Sequence, residues 1–144
     1  MLGKPVSFYL AIKRQDSSVQ KVRCVLFDNA IDLNASIQRR GLWRSGSLVR
    51  ALTIGTARPD NAPLITIMLS RQSLCPGVVA HEISHALFYI CRHSGYKPGA
   101  KLTNRNTVTR SGHRCVAGDE EWMCTALERA VIEFYTKVKQ RGMI

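Results

Sequence analysis

Apolar positions alternate with polar ones near the start of the chain, and this alternation predicts β-strands. An apolar residue stands at every second position of the first such stretch, at Val6, Phe8, Leu10 and Ile12. Alternating exposure suits a strand with one buried face, so we expect strands over residues 4–14 and 21–27. The polar segment between them, Gln15–Ser18, is typical of a turn, and the two strands are expected to form a hairpin.

Two further apolar runs predict two more strands. They cover Leu48–Ile54 and Leu64–Leu69, and the second run is rich in β-branched residues, which pack well in sheets. The segment 57–63 between them contains two prolines and predicts a loop. Residues 28–48 have a loose helical spacing. The sequence leaves open whether the strand at Leu64–Leu69 lies at the edge of the sheet or inside it.

A helical period replaces the alternation near the end of the chain. The apolar stripe there comprises Met123, Leu127, Ala130, Val131, Phe134 and Val138. This spacing predicts a helix from Asp119 to Lys139, with Asp119 as its N-cap. Glu120 and Glu121 then occupy the first turn, where the helix dipole favours negative charge.

These elements predict an α+β fold in one domain over residues 1–144, with an antiparallel or mixed sheet of roughly three to five strands. The chain has 144 residues, 45% of them hydrophobic, which is ordinary for a globular domain. No apolar run is long enough to cross a bilayer, and the first residues lack a signal-peptide cleavage pattern. Its five cysteines are an odd number without CxxC spacing. We therefore expect reduced thiols, a cytoplasmic location and no membrane association.

The segment Val78–Leu87 carries the strongest chemical signal, an HExxH motif. His81 and His85 would lie on one face of a helix, where both imidazoles can bind one metal ion. Glu82 follows the first histidine and can act as general base toward a bound water. Zinc accepts imidazole and carboxylate ligands, and in catalytic sites it lowers the pKa of its water. The motif therefore predicts a Zn²⁺ cofactor and a zinc metallopeptidase with Glu82 as its base.

The residues around the motif favour a metal site over a coincidental core helix. Apart from Glu82, no charged residue lies between Arg71 and Arg92, and Pro76 and Gly77 supply a helix start. A helix this apolar is expected to be buried, and an unpaired charge inside it would be costly. A metal ion would supply the partner that the glutamate and the histidines need.

A catalytic zinc site needs a third protein ligand. The candidates are Asp119, Glu120, Glu121, His93 and His113, with the thiols of Cys115 and Cys124 also open. Helical steps back from Leu127 through Cys124 lead to Glu120, which makes Glu120 the preferred ligand. Glu121 is rotated away from that stripe and is the alternative, and His113 remains a further one.

The HExxH helix, followed by an acidic pair that opens the last helix, resembles the gluzincin arrangement. More narrowly, residues 76–135 are similar to small phage- and prophage-encoded metallopeptidases and to the ImmA/IrrE-like group. The resemblance implies a small zincin-like domain, whose sheet packs on the HExxH helix and the C-terminal helix. It also implies that a helix-borne glutamate, Glu120 or Glu121, is the third zinc ligand.

A weaker resemblance links His81–Ile90 to SprT-like proteases, which act near DNA and use a histidine as third ligand. Their downstream HGxxF/W pattern is not present, and residues 92–96 match it only poorly. The metzincin pattern would require glycine at Phe88 and histidine at Cys91, so it is excluded.

Charge adds a second prediction, because the formal net charge is +11 and two long segments contain no acidic residue. These segments lie between Asp32 and Asp60 and between Glu82 and Asp119. The basic residues proposed to meet a partner are Arg39, Arg40, Arg44, Lys97, Lys101, Arg105, Arg110 and Arg114. Such segments suit nucleic acid or an acidic protein, although a solvated face without a specific partner explains the charge equally well.

The sequence thus predicts a metallopeptidase that acts on a protein or peptide substrate. The strand before the metal helix is a candidate to pair with extended substrate backbone, and Tyr96 or His113 is a candidate to stabilise the oxyanion. The alternatives are a non-catalytic zinc protein of phage origin that binds nucleic acid or a host partner, and an SprT-like DNA-associated protease. Glu82 separates these hypotheses, because a structural zinc site does not need that carboxylate.

Overall fold

The computed structural model describes residues 4–14, 17–41, 49–58, 61–93, 107–108, 114–115 and 117–143. The strands are β1 (Val6–Lys13), β2 (Val19–Phe27), β3 (Ala51–Arg58), β4 (Asn61–Ser70), β5 (Thr107–Val108) and β6 (Arg114–Cys115). The helices are α1 (Ala30–Arg39), α2 (Pro76–His93) and α3 (Ala117–Gln140), and a 3₁₀ turn covers Arg71–Ser73. The predicted α+β fold is confirmed. Among the described helices, none has the length and apolar character needed to cross a bilayer.

The main sheet is mixed and has the strand order β1-β2-β4-β3. β1 and β2 form the predicted antiparallel hairpin, with Phe8 opposite Cys24. β2 runs parallel to β4, and β3 pairs with β4 in the antiparallel sense. The strand predicted at 64–69 is therefore interior, and among the strands that the structure describes β3 is the edge strand on that side. This settles the alternative that the sequence had left open.

The loop predicted over 57–63 is wrong for most of its length, because β3 continues to Arg58 and β4 begins at Asn61. The prediction relied on two prolines, Pro59 and Pro63. Pro59 falls outside the described residues. Pro63 lies before the part of β4 that pairs with β2, which begins at Ile65, so its missing N–H removes no hydrogen bond from that ladder.

Helix α1 packs on one face of the sheet. Asn29 is its N-cap and accepts a hydrogen bond from the Asp32 backbone N–H at 2.8 Å. Leu33 and Ile37 face the sheet and are fully buried. Their cluster also contains Val25, Phe27 and Met68.

Helices α2 and α3 pack on the opposite face and enclose the larger core. Phe134 is fully buried there, and its ring centroid lies 5.5 Å from that of Phe8. Strand residues of even number on β1 and β2 and of odd number on β4 point into this core, as strand alternation requires. The sheet therefore has helices on both faces, which explains why β2 is buried on both sides near its end.

Side chains of α3 also satisfy the outer edge of β1. Trp122 Nε1–H donates to the Lys13 carbonyl at 2.7 Å, and Lys137 Nζ donates to the Tyr9 carbonyl at 2.6 Å. Between them, the Ala11 N–H donates to Glu133 Oε1 at 2.9 Å. These contacts fix α3 antiparallel to β1, with its first turns beside the β1–β2 hairpin.

Candidate metal centre

Helix α2 carries the HExxH motif, and its buried side chains determine which way the motif points. Pro76 is the first helical residue, where its missing N–H costs nothing, and Val79 N–H then bonds the Cys75 carbonyl at 3.1 Å. The buried face comprises Val79, Ile83, Ala86, Leu87 and Ile90. Because this face packs into the core, His81 and His85 are left exposed, while Glu82 at the border of the two faces is only 6% exposed.

The two histidines converge as the helical spacing predicted. Their Nε2 atoms lie 3.1 Å apart, and the rings meet edge to face with an interplanar angle of 83°. Two imidazole nitrogens bound to one tetrahedral zinc would be separated by about 3.3 Å, given Zn–N bonds of about 2.0 Å. Two lone pairs this close need a shared proton or a cation between them, so the arrangement fits a metal ion.

Glu82 is held by strand β3. Thr53 Oγ1 donates to Glu82 Oε2 at 2.5 Å and also lies 3.1 Å from the Glu82 carbonyl oxygen. The carboxylate is therefore oriented by a hydroxyl group on a neighbouring element. No sequence pattern indicated this role for Thr53, because the contact depends on how α2 crosses β3.

A glycine lets α2 lie directly on β3. A Cβ atom placed on Gly55 would be 2.5 Å from Cδ1 of Tyr89, closer than any carbon contact allows. Tyr89 follows His85 by one helical turn, so its ring packs on the strand close to the histidine pair. Gly55 therefore allows helix α2 to lie close to β3, and any larger residue would push the two apart.

The outer edge of β3 presents backbone groups beside the candidate site. Ser70 N–H bonds the Arg50 carbonyl at 3.2 Å, which makes this a hydrogen-bonded pair of the β3–β4 ladder. Residues that alternate with Arg50 then direct their N–H and C=O groups outward, namely Ala51, Thr53 and Gly55. Within the described residues, no strand pairs with this edge. The side chain that holds Glu82 thus belongs to a residue whose backbone groups point away from β4.

Among the described residues, the group of side chains spaced to hold a metal ion is His81, Glu82 and His85, whose potential ligand atoms lie within 4.8 Å of one another. Glu121, the alternative third ligand, is described as exposed and is not in this group. Glu120 lies in the first turn of α3, but its side chain falls outside the described residues, as does that of His93. His113 and Tyr96 fall outside them as well.

The sheet register shows where α3 begins relative to the histidines. Trp122 contacts Lys13, which pairs with Val19 of β2. Thr53, which holds Glu82, pairs with Ile67, and Ile67 pairs with Cys24 of β2. Val19 and Cys24 are five residue steps apart along β2, about 16 Å. The start of α3 therefore lies toward the C-terminal end of α2, not directly beside the two histidines.

The helical stripe used to rank the third ligand is partly wrong. Ala130, Phe134 and Val138 are buried as predicted, and Ala126 continues that row toward the N-terminus. Cys124, through which the stripe was extended to Glu120, is exposed. The buried residues of α3 are spaced four apart, which is slightly more than one helical turn. Their row therefore winds around the helix and does not pass through Cys124. Glu120 as third ligand stays a prediction.

The cysteines divide into buried and exposed thiols. Burial raises the pKa of the Cys24 thiol to about 12, and the nearby Glu133 carboxylate adds to this effect. Cys24 is therefore unsuited to bind a metal as a thiolate. Cys91 is also buried, whereas Cys75 and Cys124 are exposed. The side chain of Cys115 falls outside the described residues.

The basic residues predicted to meet a partner are described only in part. Arg39 and Arg40 are exposed at the end of α1, on the face of the sheet opposite to α2. The others fall outside the described residues: Arg44, Lys97, Lys101, Arg105 and Arg110, together with the side chain of Arg114.

Comparison with known proteins adds no family assignment. No protein-family model matches the chain, and no curated protein or solved structure matches it either.

Proposed function

We propose that this chain is a zinc-dependent metallopeptidase in which His81 and His85 are two of the metal ligands and Glu82 is the general base. The observation that carries the proposal is the convergence of the two Nε2 atoms, 3.1 Å apart, beside a carboxylate that is 6% exposed. A metal ion would use all three groups at once, since the two nitrogens are spaced as zinc ligands and the carboxylate lies next to them.

A bound zinc ion would supply Lewis acidity, polarising the scissile carbonyl and making a water molecule more acidic. The protein's part is to place the proton acceptor. Thr53 donates to Oε2 of Glu82, so the other oxygen, Oε1, is the one that accepts a proton from the attacking water. Glu82 then passes this proton to the leaving amine nitrogen. The low exposure of Glu82 limits competition from bulk water for the same oxygen.

The outer edge of β3 suggests how a substrate would be held. An extended peptide can add to this edge through the outward N–H and C=O groups of Ala51, Thr53 and Gly55. Such pairing is independent of side-chain identity, so it would hold peptide backbone in general beside Glu82. This inference supports a protein or peptide substrate rather than a small metabolite.

The test uses the full chain loaded with zinc, with casein and a mixture of quenched fluorogenic peptides as probes. Glu82→Gln keeps the size of the side chain and its ability to accept the Thr53 hydrogen bond, but it removes the base. We expect one zinc per chain in both proteins and a fall in hydrolysis of about 10²- to 10⁴-fold in the variant. Glu128→Gln, an exposed change on α3, is the matched control and should retain full activity.

A second candidate function rests on the same Thr53–Glu82 contact. The contact also ties α2 to β3, as a structural zinc protein without activity would require. In that case neither the wild type nor Glu82→Gln would hydrolyse any probe. Removal of zinc would lower the melting temperature of both proteins. A zinc-loaded wild-type protein that cleaves no probe, but unfolds when the metal is removed, would favour this second candidate.

A further inference from the structure

Helix α1 is too short to cover its face of the sheet. It has 10 residues, about 15 Å of helix, whereas β2 has 9 residues, about 30 Å of strand. Since α1 starts at the C-terminal end of β2 and runs back, it buries Val25 and Phe27 and leaves the first half of β2 uncovered. On that face, Val19, Lys21 and Arg23 are all exposed.

The uncovered sheet face is defined by side chains from three strands: Tyr9, Ala11 and Lys13 of β1, Val19, Lys21 and Arg23 of β2, and Leu64 of β4. The strand register places Tyr9 next to Arg23 and Ala11 next to Lys21. Tyr9 is 52% exposed, Val19 59% and Leu64 53%. The surface is thus a patch in which one aromatic ring and three aliphatic side chains lie among three cations.

The described charges on this surface are all positive. Lys13, Lys21 and Arg23 lie on it, and the last turn of α1 ends toward it with Arg39 and Arg40. The described acidic residues on the α1 side are Asp28 and Asp32, next to the start of α1 and so at the far end of that face. Both are engaged: Asp28 pairs with Arg71 at 3.9 Å, and Asp32 Oδ2 accepts from Asn29. A surface of this kind is complementary to a polyanion.

We propose that the uncovered sheet face binds single-stranded nucleic acid, with the cations on the phosphates and Tyr9 stacked on a base. An acidic protein would satisfy the cations but would give the exposed ring no specific partner. A duplex would satisfy the cations too, but its bases are already stacked on each other. A single strand offers both phosphates and free base faces, the two features that aromatic and basic sheet surfaces recognise.

This surface is separate from the candidate metal centre. Thr53 and the α2 helix lie on the other face of the sheet, so the two sites cannot share a ligand. The proposal does not depend on the peptidase proposal, and zinc content provides an independent reading of the other face.

The test measures fluorescence anisotropy of a labelled single-stranded oligonucleotide with the full chain, at two salt concentrations. Lys21→Gln with Arg23→Gln removes two cations from the uncovered face. Arg129→Gln with Lys139→Gln removes two exposed cations from α3 and is the matched control. We expect the first pair to weaken binding about tenfold and to reduce the salt slope by about 1.4, the value for two phosphate contacts on a single strand. The control pair should change affinity by less than about twofold.

A second variant tests the aromatic contact. Tyr9→Leu keeps an apolar side chain and leaves the backbone carbonyl that Lys137 binds. We expect it to weaken single-strand binding about tenfold, as the loss of one stacked base would, and to leave duplex binding unchanged. Circular dichroism and zinc content should match those of the wild type in every variant.

Three results would overturn the proposal. Absence of binding to the oligonucleotide at low salt would show that the patch is only a solvated surface. An equal loss of affinity in the control pair would show that the attraction comes from net charge and not from this face. Tighter binding to poly-glutamate than to the oligonucleotide, insensitive to Tyr9→Leu, would assign the surface to an acidic protein instead.

Discussion

The two edges of the main sheet, β1 and β3, differ in how their outward backbone groups are satisfied. At β1, side chains of Trp122, Glu133 and Lys137 reach over from α3 and bond the outward carbonyl and N–H groups. At β3, the described residues supply no such cover, and the neighbouring helix α2 instead presents its histidines and Glu82. An exposed edge invites pairing with other chains, so proteins usually block it. Here one edge is blocked, and the other lies next to the candidate chemistry.

The difference between the two edges reflects how α2 and α3 contact the strands next to them. α3 packs on the face of the sheet through Phe134, and its side chains Trp122, Glu133 and Lys137 also reach the outer edge of β1. α2 lies on the strand itself, because Gly55 allows the close approach of Tyr89. α2 and α3 thus pack on the same face of the sheet but treat its two edges differently. Side chains of α3 cover the edge of β1, and no described residue covers the edge of β3. Four predictions test this difference, from the largest expected effect to the smallest.

The largest effect is expected from the histidines beside the open edge. His81→Ala or His85→Ala removes one of two converging imidazoles, and a single imidazole holds zinc weakly. We expect zinc affinity to fall by more than about 100-fold, measured by competition with a chromogenic chelator. Removal of zinc with a chelator should abolish hydrolysis in the same way.

The two acidic residues at the start of α3 supply a comparison for this prediction. The sequence prediction is that Glu120→Ala weakens zinc binding more than Glu121→Ala does. Glu121 is exposed, so its variant should match the wild type. Zinc affinity that is unchanged in both histidine variants would contradict the metal centre altogether.

The next effect concerns the hydroxyl that joins β3 to Glu82. Thr53→Val keeps the shape of the side chain but removes the donor to Oε2, so the carboxylate loses its fixed orientation. We expect kcat to fall about tenfold or more with little change in KM, because the lost contact orients the base and does not touch the substrate. Thr53→Ser restores the hydroxyl and should recover most of the activity.

This serine rescue distinguishes positioning from stability. If Thr53→Val and Thr53→Ser lose activity equally, the methyl group and not the hydrogen bond is what matters. In a Glu82→Gln background, the valine change should have no further effect on hydrolysis, since the base is already absent.

A smaller effect is expected from the backbone of the open edge. Ala51→Pro removes an N–H that points outward, away from the β3–β4 ladder, so the sheet should remain intact. If substrate pairs with this edge, KM should rise about fivefold, the loss of one hydrogen bond of about 1 kcal/mol. Leu52→Pro, one residue along, removes an inward N–H and should instead destabilise the fold. Equal melting temperatures for the two variants would show that the ladder was assigned in the wrong register.

The smallest effect is expected at the closed edge. Glu133→Ala with Lys137→Ala removes two groups that bond β1, with no change in net charge. These bonds are exposed to solvent, so we expect a loss of only about 1 kcal/mol in the free energy of unfolding. The variant should also self-associate at high concentration, as measured by sedimentation. Glu128→Ala with Lys139→Ala is the charge-matched control, and self-association in it too would argue against edge protection.

The sequence alone determined the elements whose evidence is local. Alternation at Phe8, Leu10 and Ile12 predicted β1, and the spacing of His81 and His85 predicted that their imidazoles would meet. Both inferences depend only on the period of a strand or a helix, which every residue in the element shares. For the same reason the α+β class and the last helix could be derived before the structure was known. The predicted start was wrong, because α3 begins at Ala117 and Asp119 lies in its first turn instead of being its N-cap.

Only the tertiary structure decided which elements meet. The sequence did not decide whether the strand at 64–69 lies at the edge of the sheet or inside it. The strand order places it inside, with β3 at the edge among the described strands. The role of Thr53 and the closed edge at β1 join residues that are far apart in the chain, such as Ala11 and Glu133. Exposure of Cys124 depends on how α3 lies on the sheet, which a single helix period does not specify. Such contacts arise when complete elements pack together. The hydrophobic period of one helix or strand shows which of its faces is buried, but not which other element covers that face.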